Sequence, residues 1–426
     1  MKLGIIGGSG LENPEILKEA EEINVDTPYG NPSSSIISGN INDIGVCIIS
    51  RHGRKHEFPP SQVNYRANIF ALKSLGCTHI IATSACGSLR EEIKRGDFVI
   101  IDDFIDYTKH RKTTFYESFE GEPKHTPMIN VFSEYLRNKI IKSCKRLNFP
   151  IHEKGTVITI EGPRFSTKAE SLMFRSFGAD VINMSIASEA VLAKEAGLEY
   201  AVIAMSTDYD VWKNDEEPVS WQAILEIFNK NVEKVKGLIL ETIKEISLDN
   251  ETEKCEIRNK IRAVPDWPKK GIIFRDVTTL IKDNESFEKT IGILEKRYKE
   301  MNIDLIAGIE SRGFIFGSAL ASRLKKGFIL IRKPGKLPAE TLKEEYELEY
   351  GKDAVEIHKD AIMPGQNILL IDDLIATGGT VKAAGNLIER LGGNVVECGF
   401  IIELLDLKGR EKLKWPVYSV VEFEGE

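Results

Sequence analysis

Short apolar runs alternate with longer amphipathic stretches along the first half of the chain. The apolar runs predict β-strands at residues 3–6, 46–50, 79–83, 98–101, 157–160 and 200–205. The amphipathic stretches predict helices at residues 65–75, 134–147, 168–177, 188–196 and 220–246. Because strands that alternate with helices are typical of one layered architecture, we expect an α/β domain with a central mixed sheet.

A second α/β pattern follows residue 254. Residues 247–254 are polar and lack apolar periodicity, so the sequence predicts a linker there. Beyond it, the pattern predicts strands at residues 305–308, 328–332, 368–371 and 397–402 and helices at residues 287–300, 317–324 and 381–391. The two halves share no repeated sequence. We therefore expect two unlike domains, at residues 1–247 and 257–426, with residues 248–256 between them.

Composition supports this division. A chain of 426 residues is too long for one ordinary core, and 42% hydrophobic with 29% charged residues is ordinary for a globular protein. The net charge of −8 argues against a nucleic-acid partner. We expect no membrane segment, since no apolar run has the required length, and no signal peptide, since residues 1–4 lead straight into a predicted strand. The six cysteines form no CxxC pair, which favours reduced buried thiols in a cytoplasmic protein.

The stretch at residues 368–385, ILLIDDLIATGGTVKAAG, carries the clearest chemical signal. Asp372 and Asp373 follow four aliphatic residues, and a loop of small residues then enters a helix. Ligands of open α/β sheets lie at the carboxyl ends of strands, and a helix N-terminus offers backbone N–H groups to an anion. Neighbouring carboxylates suit two hydroxyls of a sugar. The stretch predicts a sugar-phosphate site; the alternative is a tight turn capped by Thr380.

Two other segments of the second half also follow predicted strands. ESRG at residues 310–313 follows one strand, and RKPGK at residues 332–336 follows the next. The cations Arg332, Lys333 and Lys336 can therefore face a pyrophosphate. A solvated basic turn is the alternative interpretation.

Together these segments resemble adenine phosphoribosyltransferase over residues 257–426. The matching segments are GIIFRD at 271–276, ESRGF at 310–314, RKPGKLP at 332–338, LEYGK at 348–352 and the loop at 372–380. The resemblance implies a phosphoribosyltransferase α/β domain with a parallel sheet core and a hood. It also implies that the 5′-phosphate of phosphoribosyl pyrophosphate is bound by the loop residues Ala376, Thr377, Gly378, Gly379 and Thr380.

The same resemblance implies roles for further residues. Asp372 and Asp373 would bind the ribose hydroxyls. The pyrophosphate would be surrounded by Arg312, Arg332, Lys333 and Lys336. Mg²⁺ would lie alongside, held mainly through the substrate itself. Adenine would be framed by Ile273, Arg275 and Leu404. Glu349, on a lid, would handle the proton at the attacking nitrogen, the alternative being a solvated carboxylate.

In the first half, three strand ends carry groups that suit inorganic phosphate. The residues LGIIGGSG at 3–10 predict a strand that enters a glycine turn. The spacing of the glycines does not match the dinucleotide-binding motif G-x-G-x-x-G, but the hydroxyl of Ser9 can bind one phosphate. Arg51 and His52 would add cationic donors, and Ser84 and Ala85 would add backbone donors after their strand. Each segment alone also fits an ordinary turn or a core residue.

Two further segments suit a purine. Phe165, within EGPRF at residues 161–165, can stack on a base. Asp208 and Asp210 follow a predicted strand, and strand alternation places both carboxylates on one side. There they can accept from an exocyclic amine and supply a proton to a ring nitrogen. The alternative for this pair is a surface turn.

These features resemble 5′-methylthioadenosine phosphorylase, of the nucleoside phosphorylase superfamily, over residues 1–246. Close matches include residues 5–10, 50–54, 85–92, 161–166, 178–184 and 207–210. The resemblance implies a phosphate site formed by Ser9, Arg51, His52, Ser84, Ala85 and Ser185. It implies nucleoside contacts from Phe165, Met184, Ile224 and Leu225, and from His125 of a neighbouring subunit. Asp208 and Asp210 would favour a 6-amino purine. The chain departs from the family at residues 185–188 and at Trp221.

The sequence therefore predicts a bifunctional purine-salvage enzyme that makes adenine in one domain and converts it to AMP in the other. One alternative has a single active domain and a structural partner domain, and another has an inert nucleotide-sensing site. The resemblances imply trimers for the first domain and dimers for the second. A homo-oligomer, closing most simply as a hexamer, is expected.

Overall fold

A computed structural model of the chain describes residues 1–7, 17–119, 121–213, 221–299, 301–348 and 351–425. The chain divides into two compact units, Met1–Leu248 and Asp249–Glu426. Within the described residues, no helix combines the length and the apolar character that a membrane span requires. Each unit has its own sheet and its own buried core.

The first unit is built on a mixed sheet. Its strands are β1 (Lys2–Gly7), β2 (Lys18–Ile23), β3 (Ile36–Ile41), β4 (Ile44–Ser50), β5 (His79–Ser88), β6 (Phe98–Ile100), β7 (Asp103–Tyr107), β8 (Ile151–His152), β9 (Thr156–Ile160), β10 (Val181–Asn183) and β11 (Glu199–Tyr209). The main path of the sheet runs β2-β3-β4-β1-β5-β10-β9-β7, while β11 pairs with β5 and β6, and β6 with β8. Strands β1, β4, β5 and β11 are parallel neighbours, whereas β3 runs antiparallel to β4.

Both faces of this sheet are covered. Alternate residues of β11 enter separate cores, with Val202 and Ala204 on one face and Ile203 and Met205 on the other. The covering helices are α1 (Tyr65–Ser74), α2 (Glu134–Arg146), α3 (Lys168–Ser176), α4 (Ile186–Glu195) and α5 (Trp221–Lys260). Burial on both faces explains why the parallel strands appear in the sequence as nearly continuous apolar runs.

The second unit is built on a parallel sheet in the order β15-β14-β18-β19-β20. Its strands are β12 (Arg262–Pro265), β13 (Ile273–Asp276), β14 (Leu305–Ile309), β15 (Gly327–Ile331), β16 (Thr341–Leu348), β17 (Gly351–His358), β18 (Asn367–Ile375), β19 (Asn394–Leu404) and β20 (Val417–Phe423). Its helices are α6 (Thr278–Lys282), α7 (Asn284–Tyr298), α8 (Arg312–Leu324) and α9 (Gly379–Arg390). Strands β12 and β13 form one antiparallel hairpin, and β16 and β17 form another.

The linker prediction for residues 248–256 was wrong in its secondary structure. Helix α5 does not end at Ile246 but continues through the polar stretch to Lys260. Its apolar residues Ile243 and Ile246 are buried in the first unit, and Ile257 is buried in the core of the second. A helical segment with so few apolar residues carries no apolar stripe, so periodicity alone could not detect it.

Four other predicted boundaries that concern site residues were also wrong. Strand β11 runs to Tyr209 and strand β18 to Ile375, so Asp208 and the pair Asp372 and Asp373 lie within strands and not after them. Strand β5 continues through residues 84–88, where a loop was expected after residue 83. Helix α8 begins at Arg312 rather than at residue 317. Gly313 and Gly317 lower the helix propensity of the first two turns, but both lie close to other chain segments, where a side chain would not fit. Of the six cysteines, Cys255 is exposed, contrary to the expectation of buried thiols, and the other five are buried.

The packing of α9 gives a test of this core. A Cβ atom added at Gly385 would lie 2.2 Å from Cη2 of Trp415, whereas one added at Gly292 on α7 would meet nothing within 4 Å. We expect Gly385→Ala to lower the free energy of unfolding by about 1–3 kcal/mol through overpacking. Gly292→Ala is the matched control and should raise it by roughly 0.5–1 kcal/mol. Urea unfolding followed by circular dichroism measures both, and an unchanged or more stable Gly385→Ala would contradict this packing.

Candidate active sites

A pocket of about 540 Å³ lies in the first unit, beside the carboxyl-terminal half of β5. Strand β5 pairs with β1 as far as Ala82 and with β10 from Gly87 onwards. The residues between these two ladders line the pocket, and they include Ser84 and Ala85. The expected backbone donors therefore lie in a part of β5 between its pairing with β1 and its pairing with β10, and not in a loop.

Arg51 is fixed at the wall of the pocket by a buried ion pair. Its Nη2 donates to Oε2 of Glu189 at 3.0 Å, its Nε also donates to Glu189, and its Nη1 donates to the Thr83 carbonyl oxygen at 2.8 Å. The hydroxyl of Tyr200 donates to Glu189 at 2.7 Å. Burial acts to lower the pKa of Arg51, but the Glu189 charge outweighs it and raises the pKa above the usual range. A guanidinium has five N–H donors, so two of them remain to be directed at an anion.

His52 is next to Arg51 in the pocket, but it is not the cationic donor that the sequence predicted. Burial and the neighbouring Arg51 charge lower the pKa of His52 to about 4, so the ring is neutral near pH 7. Its Nδ1 lies 2.8 Å from the carbonyl oxygen of Phe58, and the ring stacks on His56. A neutral ring that donates from Nδ1 keeps a lone pair on Nε2.

A buried asparagine that the sequence analysis did not single out joins the two serines of this region. Asn183, at the end of β10, donates to Oγ of Ser84 at 3.0 Å and to Oγ of Ser185 at 3.3 Å. Its own oxygen accepts from Thr159 at 2.8 Å. This network holds the end of β5 next to the first turn of α4. Only its position between two predicted site residues could have suggested this role.

Asp208 and Asp210 lie together in the pocket, as predicted. Asp208 is in β11, where the register shifts beside Ser206, and it accepts from the Thr207 hydroxyl at 2.7 Å. Burial, and in second place the Asp210 charge, raise the pKa of Asp208 to about 6, although the Thr207 hydroxyl opposes them. Burial also raises the pKa of Asp210. Gly87 leaves room for this pair, since a Cβ there would lie 3.0 Å from Asp208 Oδ2.

Phe165 and Met184 line the same pocket. Gly162 has φ +62°, and a Cβ there would lie 2.5 Å from the sulfur of Met184. Arg111 holds the backbone of this wall: its Nη2 donates to the carbonyl oxygens of Glu161 at 2.5 Å and Met184 at 3.2 Å, and its Nε donates to the Glu161 carboxylate at 2.8 Å. Arg111 was absent from the sequence prediction because no motif marks it.

The remaining predicted residues of this site are Ser9, Ile224, Leu225 and His125. Ser9 lies outside the described residues, and so do the side chains of Ile224 and Leu225, although their backbone belongs to α5. His125 is exposed, near Phe119, and does not line the pocket of its own chain. Its role in a neighbouring subunit stays a prediction.

In the second unit, Asp372 and Asp373 lie near the carboxyl end of β18. Burial and the neighbouring Asp373 charge raise the pKa of Asp372 well above the usual range. Nε of Arg312 lies 2.6 Å from Oδ2 of Asp373. Gly313 leaves room for the pair, since a Cβ there would lie 2.9 Å from Asp372 Oδ1. The structure thus brings Arg312 and both carboxylates together, as the sequence predicted.

The predicted phosphate loop, residues 376–380, turns from β18 into α9. Gly378 precedes α9 with φ +79°, a conformation that favours glycine. The first N–H groups of a helix have no partner within the helix, and those of α9 belong to this loop. Ala376, Thr377, Gly379 and Thr380 are half-buried, while Gly378 is buried. The loop therefore has the geometry of an anion site at a helix N-terminus.

The predicted pyrophosphate cations are engaged by acidic residues of the same unit. Nε of Arg332 donates to Glu310 at 3.1 Å, which also accepts from the Lys333 backbone N–H at 2.9 Å. The ammonium of Lys333 donates to Asp353 on the β16–β17 hairpin. Lys336 is exposed. Arg332 and Lys333 thus lie close together, as predicted, but an anion would have to compete with these carboxylates.

The three residues predicted to frame adenine lie on two elements. Ile273 and Arg275 are on β13, and the Arg275 guanidinium lies 4.2 Å from the ring centre of Phe423, which neighbours Leu404 in the sheet. Phe274 lies between them in sequence, and its ring centre is 5.3 Å from the Arg312 guanidinium. Glu349 lies outside the described residues.

Comparison with known proteins distinguishes the two units. The family model of the phosphorylase superfamily matches residues 2–244, and the model of the phosphoribosyl transferase domain matches residues 277–424. S-methyl-5′-thioadenosine phosphorylase of Drosophila melanogaster is 50% identical over 256 residues, which are 59% of this chain and 89% of that protein. The Xenopus tropicalis enzyme of the same name is 52% identical over 260 residues, covering 59% of this chain and 92% of its own.

Solved structures match the first unit as well. Methylthioadenosine phosphorylase from Schistosoma mansoni in complex with adenine superposes with a TM-score of 0.56 at 41% identity, covering 61% of this chain and 96% of that one. A mutant of the same enzyme in complex with methylthioadenosine gives a TM-score of 0.55 at 40% identity, with the same coverage of 61% and 96%.

The raised pKa of Asp208 predicts how stability depends on pH. A carboxyl whose folded pKa exceeds its unfolded value stabilises the fold below the unfolded pKa, and this contribution is lost as the pH rises through the folded pKa. For Asp208 the window runs from the ordinary value of 3.8 to about 6. Relative to Asp208→Asn, the wild type should lose about 3 kcal/mol of unfolding free energy across that window. Urea unfolding at pH 4, 5, 6 and 7 measures this, and parallel profiles of the two proteins would disprove it.

Proposed function

The chain belongs to the phosphorylase superfamily, and on that basis we propose that its first unit splits 5′-methylthioadenosine with inorganic phosphate into adenine and 5-methylthioribose 1-phosphate. One observation carries the proposal: the buried carboxylates Asp208 and Asp210 share a pocket with the guanidinium of Arg51. The pocket thus combines an anion-binding end with a proton-exchanging end, the two functions that phosphorolysis of a nucleoside requires.

Each end of the pocket has a task in this reaction. Arg51, held by Glu189, directs its remaining N–H groups at phosphate, while Ser84 and Ser185 add hydroxyls that Asn183 keeps in place. Phosphate attacks C1′ as the glycosidic bond breaks, and the sugar passes through a cationic, oxocarbenium-like state that bound phosphate stabilises. Orientation of the two reactants supplies much of the rate.

The departing adenine needs a hydrogen bond or a proton at N7. Asp208, with a pKa raised to about 6, is protonated in a useful fraction near neutral pH and can act as the general acid. Asp210 can accept from the exocyclic 6-amino group. A 6-oxo purine has an acceptor at that position, so two carboxylates favour the amino purine.

His52 takes a different part from the one expected. Because the ring is neutral and its Nδ1 faces the Phe58 carbonyl oxygen, its Nε2 can accept from a protonated phosphate oxygen. Hydrogen phosphate carries such a proton. The neutral ring therefore suits this ligand without adding a second positive charge next to Arg51.

For the second unit, which carries a phosphoribosyl transferase domain, we propose that adenine reacts with phosphoribosyl pyrophosphate to give AMP and pyrophosphate. The loop at residues 376–380 would bind the 5′-phosphate, and Asp372 and Asp373 would bind the ribose hydroxyls. The matching base-site segments GIIFRD and LEYGK support adenine as the base. Adenine, the product of the first unit, would thus be the substrate of the second.

A divalent cation fits the donors of this second site. Asp372 and Asp373 place two oxygen-donor carboxylates side by side. Burial, and after it the Asp373 charge, raise the pKa of Asp372, and a nearby dication would favour the ionised form of both. Mg²⁺, when bound with the substrate pyrophosphate, would neutralise charge on the leaving group. Arg312, next to Asp373, and the cations Arg332, Lys333 and Lys336 would contribute further positive charge around it.

The ion pairs of Arg332 with Glu310 and of Lys333 with Asp353 favour an alternative. If these cations stay paired, the second unit binds a nucleotide but does not catalyse its conversion. A coupled assay with methylthioadenosine, phosphate, phosphoribosyl pyrophosphate and Mg²⁺ separates the two. AMP formation supports both proposed reactions. Accumulation of adenine without AMP would leave only the first reaction, and the absence of both adenine and AMP would overturn it.

We also propose that the chain forms a homo-oligomer in which His125 of one subunit completes the pocket of its neighbour. The exposed position of His125, away from the pocket of its own chain, supports this arrangement. A hexamer with two-fold and three-fold axes is the simplest closed form for a chain with both a dimer and a trimer interface.

The carboxylate pair of the first site gives a test of base recognition. Asp208→Asn replaces a proton donor with an amide, so phosphorolysis of methylthioadenosine should slow by a factor that corresponds to roughly 2–4 kcal/mol. The preference should shift toward 6-oxo nucleosides, because the change removes one of the two carboxylates that disfavour the acceptor O6. Steady-state rates with amino and oxo nucleosides measure both effects. AMP formation from added adenine is the internal control, and unchanged rates with unchanged preference would refute the role.

The independence of the two sites gives a second test. Asp373→Asn combined with Thr377→Ala removes a ribose ligand and a phosphate-loop hydroxyl, so AMP formation should fall by about a hundredfold or more. Phosphorolysis in the first unit should stay within about twofold, because distant sites act independently. Both half-reactions are measured on one preparation, and a parallel loss of phosphorolysis would contradict the two-site model.

A further inference from the structure

A short turn contacts the back of the phosphate loop in the second unit. Residues 405–412, here called the backing turn, follow β19 and consist of two 3-10 segments, Leu405–Leu407 and Gly409–Lys412. They lie far from the phosphate loop in sequence, and the base-site and phosphate-loop roles proposed above do not include them. Their contacts with the loop are nevertheless direct.

Gly409 is the point of contact. It is buried, and a Cβ added to it would lie 2.1 Å from the carbonyl oxygen of Ala376 and 3.0 Å from the backbone nitrogen of Gly378. Conversely, a Cβ on Gly378 would lie 2.6 Å from the Gly409 carbonyl oxygen. Backbone therefore packs on backbone with no side chain between. A displacement of the backing turn would be transmitted to the N–H groups of the loop.

One ion pair fixes the backing turn to the sheet. Arg410 donates through Nε to Oε1 of Glu403 at 2.9 Å, through Nη2 to Oε2, and through Nη1 to the Val417 carbonyl oxygen at 3.1 Å. The Ser419 hydroxyl donates to Glu403 at 2.6 Å. Glu403 is only 4% exposed, at the end of β19. The guanidinium thus spans β19 and β20 from the residue next to Gly409.

We propose that Arg410 is a positioning residue for the phosphate loop: by pairing with Glu403 it holds Gly409 against Ala376 and Gly378, and so sets the affinity for the 5′-phosphate of the substrate. This inference rests on the proposed phosphoribosyl transfer. Arg410 touches neither substrate nor reacting atoms; it acts through the backbone. Anion binding at a helix N-terminus requires several N–H groups to point at the anion at once. A small shift of the loop therefore weakens all of these hydrogen bonds together.

The same strand provides a matched control. At the other end of β19, Arg297 makes a bidentate pair with Glu397, with Nε and Nη2 each 2.6 Å from a carboxylate oxygen. Glu397 is 3% exposed, as deeply buried as Glu403, and it accepts from the Tyr298 hydroxyl much as Glu403 accepts from Ser419. The two pairs share chemistry, burial and strand, but only one contacts the phosphate loop through Gly409.

The experiment compares Arg410→Met with Arg297→Met in the full chain. Both leave a buried carboxylate unpaired, so both should lower the thermal unfolding temperature of the second unit. Arg410→Met should also raise KM for phosphoribosyl pyrophosphate by roughly tenfold, because a misplaced binding group costs that order of affinity. KM for adenine should stay unchanged. Arg297→Met should leave both KM values within about twofold.

A third variant keeps the test decisive if Arg410→Met fails to fold. Arg410→Lys retains the charge but loses the bidentate geometry, so KM for phosphoribosyl pyrophosphate should rise by a smaller factor, about threefold. An unchanged KM in whichever Arg410 variant folds, or an equal rise in Arg297→Met, would overturn the positioning role. Failure of the wild type to form AMP would instead overturn the proposed function, so the two failures are distinguishable.

Discussion

Burial of paired carboxylates near the carboxyl end of a central strand is the constraint on which both sites depend. Low polarity raises the pKa of Asp208 and of Asp372, and makes each pair a strong acceptor for a ligand that brings protons or positive charge. In both units a glycine provides the space. Gly87 faces Asp208 and Gly313 faces Asp372, and at each a Cβ would lie within about 3 Å of a carboxylate oxygen.

The two units handle their cations differently. In the first, Glu189 pairs with Arg51 and keeps it charged, while two N–H groups of Arg51 remain for the proposed phosphate ligand. In the second, Lys333 is paired with Asp353 on a separate hairpin, so its charge reaches a ligand only if that pair opens. An ion pair that stays formed, such as Arg51–Glu189, suits a small anion that binds the remaining N–H groups directly. An ion pair that must open, such as Lys333–Asp353, suits a larger substrate whose negative charge replaces the carboxylate.

Much of the fold follows from local pattern. Strands buried on both faces, such as β5 and β18, appear as apolar runs, and the core helices follow their amphipathic periodicity. Two departures have physical causes. The continuation of helix α5 past Ile246 was missed because that segment carries no apolar stripe, and the start of α8 at Arg312 was missed because Gly313 lowers helix propensity. The α/β class in both halves was confirmed.

The sequence by itself determined which chemical groups are present and where strands deliver them, because a motif such as the loop at residues 376–380 is contiguous. It therefore predicted that Asp208 lies with Asp210, while the resemblance implied one substrate site for Arg312, Asp372 and Asp373. The tertiary structure alone decided the partners that fix these groups. Glu189 is 138 positions from Arg51, and Asn183 is 99 from Ser84. Such partners share no local pattern. They meet only when elements distant in sequence pack together, and their contacts set the charge of each site and the orientation of its groups.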